Sequence, residues 1–125
     1  MIRITKIHHV SFLVKDLQVA LAFYCDLLNI EKKPNRPAMS FAGAWLKINE
    51  LQEIHLLELD NPDPTKNRPD HGGRDRHAAF SIEKLAPLQA ILEKNDISYT
   101  MSHSGRLALF TRDPDGNALE FIEST

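Results

Sequence analysis

The chain has 125 residues, 42% of them hydrophobic and 26% charged, which is the size and composition of one globular domain with its own core. Its formal net charge of -2, with lysine and arginine scattered along the chain, excludes a strongly cationic nucleic-acid surface. No apolar run approaches the roughly 20 residues that span a bilayer, and the N-terminus lacks an apolar signal segment. With a single cysteine and therefore no intrachain disulfide, we expect a cytoplasmic protein without membrane contact.

The first half of the chain is predicted to fold as a strand, a helix and three further strands. Residues 7–14 alternate, with apolar side chains on one face and His9 on the other, as in a strand with two different faces. Asp16 is a suitable helix N-cap, and apolar residues recur after it at helical spacing. The strands that follow are predicted at residues 30–33, 39–48 and 52–59. The first module is therefore βαβββ, over residues 5–59.

A turn-rich linker, residues 60–74, separates this module from a second one. It contains three of the seven prolines and two adjacent glycines, which is too many turn-forming residues for a regular element. The order of elements then repeats in residues 75–125. Those elements are predicted at residues 75–82, 84–95, 97–101, 106–112 and 117–123, with a hairpin turn at 113–117. We therefore expect a single α+β domain with two βαβββ modules in a pseudo-twofold arrangement.

Each module begins with a histidine that opens an apolar strand, and His77 follows His9 by 68 positions. The last strand of each module carries a second ligand-type residue, and Glu120 follows His55 by 65 positions. Alternation along the strands places His9, His77 and Glu120 on the face opposite the helix. For the remaining position the alternation leaves two options, His55 or Glu58, and we favour His55. Imidazole and carboxylate groups suit one divalent ion of Zn, Ni, Co, Mn or Fe. The predicted ligands are His9, His55, His77 and Glu120.

Other polar and aromatic residues are candidates for substrate contacts. Arg74 and Arg106 are placed to hold a substrate carboxylate by a bidentate contact, with a solvated surface charge as the alternative. Trp45 is a candidate cavity wall or an ordinary core residue. His71 and His103 fall in turn-rich segments, so we interpret them as solvated and assign neither to the site. The alternative to a metal centre is an apolar-walled cavity with hydrogen-bonded histidines.

Three segments together carry a family resemblance. They are His8-His9-Val10 with Val14 and Asp16-Leu17, then Arg76-His77-Ala78 with Phe80 and Ile82, and last Asp113-Pro114-Asp115-Gly116-Asn117 before Leu119-Glu120-Phe121. They resemble the vicinal oxygen chelate superfamily, in its glyoxalase I-like branch (glyoxalase, bleomycin resistance and extradiol dioxygenase proteins), over nearly the whole chain. The resemblance implies curved mixed sheets that enclose a metal-centred cavity, often assembled across a homodimer. It also implies the same four metal ligands, although glyoxalase I enzymes commonly have a glutamate in place of His55.

The activity that the resemblance implies is a metal-dependent lyase or isomerase reaction. Such an enzyme moves a proton between adjacent carbons of a glutathione hemithioacetal, or of another small thiol adduct, through an enediolate-type intermediate. Glu120 is the residue left to act as the base. One alternative is an Fe(II) extradiol-type dioxygenase, because two histidines and one carboxylate are the ligand set for oxygen activation. The other is a non-catalytic small-molecule binding or resistance protein.

Overall fold

Each half of the chain folds around its own four-stranded mixed sheet. The computed structural model describes residues 1–124, and the chain divides into two units, Met1–Asn61 and a second one that begins at Pro62. The order strand, helix and three strands occurs in both units. The predicted α+β fold with two βαβββ modules is therefore confirmed. Within residues 1–124, no helix has the length and apolar character needed to cross a membrane.

The first unit consists of four strands and one helical segment. These are β1 (His9–Val14), α1 (Leu17–Leu21) continued by a π-helical segment (Ala22–Leu27), β2 (Glu31–Lys32), β3 (Gly43–Lys47) and β4 (Glu53–Glu58). The strand order in the sheet is β1-β4-β3-β2, with β1 parallel to β4 and the other pairs antiparallel. The predicted third strand, 39–48, is longer than β3, because Pro37 and a bend at residues 40–41 precede the first paired residue, Gly43.

The helix of the first unit differs from the regular amphipathic helix that the apolar spacing predicts. The amide of Leu28 donates to the carbonyl of Phe23, which is the i to i-5 pattern of a π-helix. This widened turn brings the adjacent rings of Phe23 and Tyr24 inward together, with ring centroids 5.0 Å apart and both side chains buried. A regular helix turns by about 100° per residue and separates adjacent side chains more widely. The π-helical turn thus coincides with two neighbouring aromatic rings that are both buried.

The second unit repeats this architecture after a short 3-10 turn, Gly72–Arg74. Its elements are β5 (His77–Ile82), α2 (Leu85–Lys94), β6 (Tyr99–Met101), β7 (Ala108–Arg112) and β8 (Ala118–Glu123). The strand order is β5-β8-β7-β6, again with one parallel pair, β5 with β8. The 3-10 turn lies inside the segment predicted to be an irregular linker, so that segment has one short regular element.

A carboxylate caps the helix in the same way in both units. The amide of Leu17 donates to Glu58 Oε2 at 2.8 Å, and the amide of Leu85 donates to Glu123 Oε1 at 2.9 Å. Each glutamate stands at the end of the last strand, and each leucine is the first residue of the helix. Because a carboxylate at a helix N-terminus satisfies a free N–H and opposes the helix dipole, it stabilises the junction of helix and strand. The internal repeat therefore extends to the contacts between elements.

Apolar residues on one face of each sheet form the core of each unit. In the first unit the largest fully buried side chains are Val14, Tyr24, Leu46, Ile54 and Leu56. In the second unit they are Leu85, Leu92, Leu109 and Leu119. The alternation that buries these residues sends their strand neighbours to the opposite face of the sheet. That opposite face carries the predicted ligands.

Candidate functional site

In the first unit, β1 and β4 bring His9 and His55 onto one face of the sheet. The parallel register pairs His9 with Glu53 and Ser11 with His55, so the two histidines are diagonal neighbours. Their imidazole rings stack, with centroids 3.9 Å apart and planes 14° from parallel. Half of the predicted ligand set is thus in direct contact.

The structure also decides which residue of β4 shares a face with His9. Ile54 and Leu56 are each 1% exposed and point into the core. Glu58 lies on their side by alternation and accepts the hydrogen bond from the first amide of α1, that of Leu17. His55 points the other way. Glu58 is therefore a helix cap.

His55 contacts a carboxylate and two aromatic rings. Glu53 Oε1 lies 2.9 Å from Nε2 of His55, and Glu53 Oε2 accepts from Lys33 Nζ at 2.5 Å. The hydrogen bonds from Lys33 and His55 lower the pKa of Glu53. The ring of His55 also stacks on the ring of Trp45, with centroids 4.7 Å apart. Trp45, a predicted substrate contact, therefore packs directly against a predicted ligand.

One nitrogen of each histidine is left for a ligand role. Nδ1 of His9 lies 2.9 Å from Nδ1 of His8, which leaves Nε2, and the Glu53 contact of His55 leaves Nδ1. Desolvation of its ring, and then the nearby His55, lowers the pKa of His9, which favours the neutral form that binds metals. A ring nitrogen binds a cation in the plane of its ring, and the two planes are nearly parallel. In their present rotamers, one cation can therefore bind to only one of these two imidazoles. Binding to both requires one of the rings to rotate.

In the second unit, β5 and β8 bring His77 and Glu120 together in the equivalent diagonal arrangement, because Ala79 is the register partner of Glu120. Nε2 of His77 lies 3.2 Å from Oε1 of Glu120, whose side chain is only 4% exposed. The other oxygen, Oε2, accepts from Nη2 of Arg106 at 3.2 Å. Nδ1–H of His77 donates to the carbonyl of Asp75 at 2.8 Å, which directs Nε2 toward the carboxylate.

The donor atoms of His77 and Glu120 fit a divalent ion. Two ligand atoms that are each about 2.1 Å from one cation lie about 3.0 to 3.4 Å apart at right or tetrahedral angles, and the observed separation is 3.2 Å. Arg106 and His77 already match the charge of this nearly buried carboxylate, so the support for a metal is the donor spacing alone. Over residues 1–124, no group of three or more histidine, cysteine, aspartate or glutamate side chains stands close enough to hold a metal ion. Each unit thus contains one pair of candidate ligands.

A buried ion-pair network fixes the carbonyl that orients His77. The carboxylate of Asp75 accepts from Arg68 at 2.9 Å and from Arg112 at 2.8 Å, and its side chain is 9% exposed. These guanidinium groups, Arg68 first, hold the pKa of Asp75 well below its usual range. Sequence reasoning missed this network, since the contact between Asp75 and Arg112 spans 37 positions and no motif marks it.

A cavity of about 660 Å³ adjoins His77 and Glu120 in the second unit. The predicted substrate residues Arg74 and Arg106 both line it, together with Phe110. Their position agrees with a role in substrate binding, which stays a prediction.

His71 and His103 line the same cavity. The interpretation of His71 as a solvated residue is wrong, because its Nδ1 bonds to Thr100 Oγ1 at 2.6 Å and its ring packs edge-on against Phe110. His103 is exposed, as expected, but its ring lies 4.8 Å from that of His71. The sequence around both residues predicts only turns. It does not predict that the segments before β5 and before β7 bring the two rings together.

Comparison with known proteins agrees with this architecture. The family model of the Glyoxalase/Bleomycin resistance protein/Dioxygenase superfamily matches residues 6–121. The chain is 29% identical over 129 aligned positions to the uncharacterized protein YaeR of Escherichia coli (strain K12), covering 98% of this chain and 99% of that protein. It is 28% identical over 124 positions to a protein of Synechocystis sp. described as a probable lactoylglutathione lyase, covering 94% of each.

A solved structure gives the same result. The glyoxalase family protein from Bacillus anthracis superimposes with a TM-score of 0.78 at 28% identity, covering 100% of this chain and 99% of that one. The two βαβββ units and the family match over residues 6–121 lead to one conclusion. The chain belongs to the glyoxalase/bleomycin resistance protein/dioxygenase superfamily and has its vicinal oxygen chelate fold.

Proposed function

We propose that this protein is a divalent-metal-dependent lyase or isomerase of glyoxalase type, acting on a small substrate with two adjacent oxygens. The observation that carries the proposal is the pair of His77 and Glu120, with donor atoms 3.2 Å apart beside a cavity of about 660 Å³. The similarity to a probable lactoylglutathione lyase supports a thiol adduct, such as one of glutathione, as the substrate. We further propose a cytoplasmic homodimer built from one domain per chain.

The metal ligands in this proposal are the four predicted residues. His77 would bind through Nε2 and Glu120 through a carboxylate oxygen, with His9 as the third ligand through Nε2. His55 would be the fourth, through Nδ1, after its ring rotates away from His9. A divalent ion held by these groups supplies a Lewis acid that stabilises negative charge on adjacent substrate oxygens.

The protein's own groups would carry out the proton transfer. Glu120 is the base, because it is a buried carboxylate at the cavity wall. Arg106, 3.2 Å from Oε2, holds the carboxylate toward the cavity while it takes a proton from one substrate carbon and returns it to the next. The Asp75 carbonyl keeps His77 in one orientation during this transfer. The ring of Phe110 packs edge-on against His77, with centroids 5.2 Å apart, and forms an apolar part of the cavity wall.

A second candidate function is an Fe(II) dioxygenase of extradiol type. The near-parallel stacking of His9 and His55 favours it, since one of the two imidazoles, with His77 and Glu120, makes two histidines and one carboxylate. A third candidate is a binding or resistance protein that holds a small molecule without catalysing a reaction. For this function the cavity alone is sufficient.

Purified protein should contain bound metal and lose its activity on chelation. We expect elemental analysis of protein prepared without added metal to find a divalent ion. We also expect the hemithioacetal of glutathione and a 2-oxoaldehyde to be converted in a direct ultraviolet assay. Chelation should abolish the reaction, and Ni, Zn, Co or Mn should restore it. Absence of turnover with each of these metals would refute the lyase proposal. Oxygen consumption with catechols and Fe(II) would favour the dioxygenase.

Mixing two inactive variants should reveal whether one site draws on two chains. His9→Ala removes a ligand from the first unit, and Glu120→Gln removes one from the second. If the pairs combine between chains of a dimer, mixed dimers contain one intact site, and about a quarter of full activity returns after refolding the variants together. If the pairs combine within one chain, the mixture stays inactive. Each variant refolded alone is the control for both outcomes.

A further inference from the structure

The cavity of the second unit extends beyond the groups that the proposed reaction uses. His77, Glu120 and Arg106 line it. His71, His103 and Arg74 line it too, and the rings of His71 and His103 lie 4.8 Å apart. Arg74 is already a predicted substrate contact, but the proposed chemistry gives the two further imidazoles no role. Their presence in the lining of the same cavity therefore needs a separate explanation.

His71 is held in place by three different parts of the unit. Thr100 on β6 bonds to its Nδ1 at 2.6 Å, and Phe110 on β7 packs against its ring with centroids 4.7 Å apart. Gly73 makes room for both rings, since a Cβ at this position would lie 2.9 Å from Nε2 of His71 and 3.1 Å from Cζ of Phe110. A side chain fixed in this way is preorganised, and it has one ring nitrogen, Nε2, left over after the Thr100 bond.

The charges on this wall favour an anion. The side chains of Arg74 and His103 make no salt bridge and no hydrogen bond to any other residue within 1–124. Of the two carboxylates that line the cavity, Glu120 is already matched by Arg106 and His77, and Asp70 is the other. A guanidinium and two imidazoles thus offer more donors than the single remaining carboxylate accepts.

We propose that His71, His103 and Arg74 form a subsite for an oxyanion group carried by the substrate, either a carboxylate or a phosphoryl-type group. The guanidinium would bind two oxygens side by side, and the imidazoles would donate from the adjoining wall. The inference rests on the proposed function in one respect, that the bound anion belongs to the substrate. The existence of an anion site depends only on the residues that line the cavity.

Histidine-ring NMR of the metal-free protein tests the subsite directly. The chain has six histidines, and single substitutions assign their ring signals. At constant pH in a chelator, we expect inorganic phosphate or acetate to shift the signals of His71 and His103 in a saturable way, leaving His8 unchanged. A stronger response to phosphate indicates a phosphoryl group, and a stronger response to acetate indicates a carboxylate.

Two arginine variants make this test specific. Arg74→Gln should weaken anion binding about tenfold, since it removes a charged, bidentate donor. Arg76→Gln is the matched control, because Arg76 lies two residues away and pairs instead with Asp63. Equal shifts in both variants, or no shift at His71 and His103 in the folded protein, would overturn the proposal.

Repeating the titration with Glu120→Gln separates this inference from the proposed reaction. Anion binding that survives in this variant, together with an absence of turnover in the unmodified protein, would refute the reaction and leave the subsite in place. Turnover without any anion response would refute the subsite alone.

Discussion

Replacing Glu120 with glutamine is expected to lower turnover by about two to four orders of magnitude, the usual contribution of a positioned base. The amide keeps the size of the side chain but removes the negative charge, the second acceptor oxygen and the basic site. Bound metal should fall as well, because a neutral amide is a much weaker ligand than a carboxylate. The measurements are initial rates in the ultraviolet assay and elemental analysis of the same samples.

Glu123→Gln is the matched control for this substitution. Glu123 lies three residues further along β8, and its Oε1 accepts from the amide of Leu85, away from the cavity. A glutamine oxygen can still accept that hydrogen bond, so metal content and rate should stay close to those of the unmodified protein. A Glu120→Gln protein with full metal content and full rate would exclude Glu120 both as ligand and as base.

Alternation along the strands was the most informative sequence signal. It depends only on the period of two residues in a strand, and the structure places His9 with His55 and His77 with Glu120 on single faces. The choice between His55 and Glu58 needed the structure, because alternation alone gives two registers. The contact of Glu58 with the start of α1 decides it.

The features that the sequence did not predict depend on contacts between distant positions. The bond of His71 to Thr100 spans 29 positions, and turn-forming residues around His71 predict only a loop. The π-helical turn coincides with a contact of adjacent aromatic rings, which a count of apolar spacings does not include. Sequence patterns thus located the candidate ligands but gave no information on the groups that orient them.

Removal of the Asp75 carboxylate is expected to destabilise the protein by about 3 kcal/mol, because it leaves two partly buried guanidinium groups without their anion. Arg68 and Arg112 both bond to this carboxylate, and their side chains are 24% and 25% exposed. In a domain of this size such a loss lowers the melting temperature by about 10 °C. Urea unfolding and thermal melts of Asp75→Ala, each followed by circular dichroism, measure the two quantities.

Asp63→Ala separates a buried network from an ordinary surface pair. Asp63 pairs with Arg76, but the two side chains are 42% and 69% exposed, so solvent screens the pair and its loss should cost less than about 1 kcal/mol. Similar stability of the two variants would show that the Asp75 network contributes no more than a surface ion pair.

The same substitution should also weaken metal binding through His77. The backbone carbonyl of residue 75 remains in Asp75→Ala, but the two arginines no longer fix its position, so Nδ1 of His77 loses a fixed acceptor. Loss of such an outer contact lowers metal affinity by about 10- to 100-fold. A metal titration of folded Asp75→Ala, at a temperature below its melting transition, distinguishes this effect from unfolding. Unchanged affinity would mean that β5 alone orients His77.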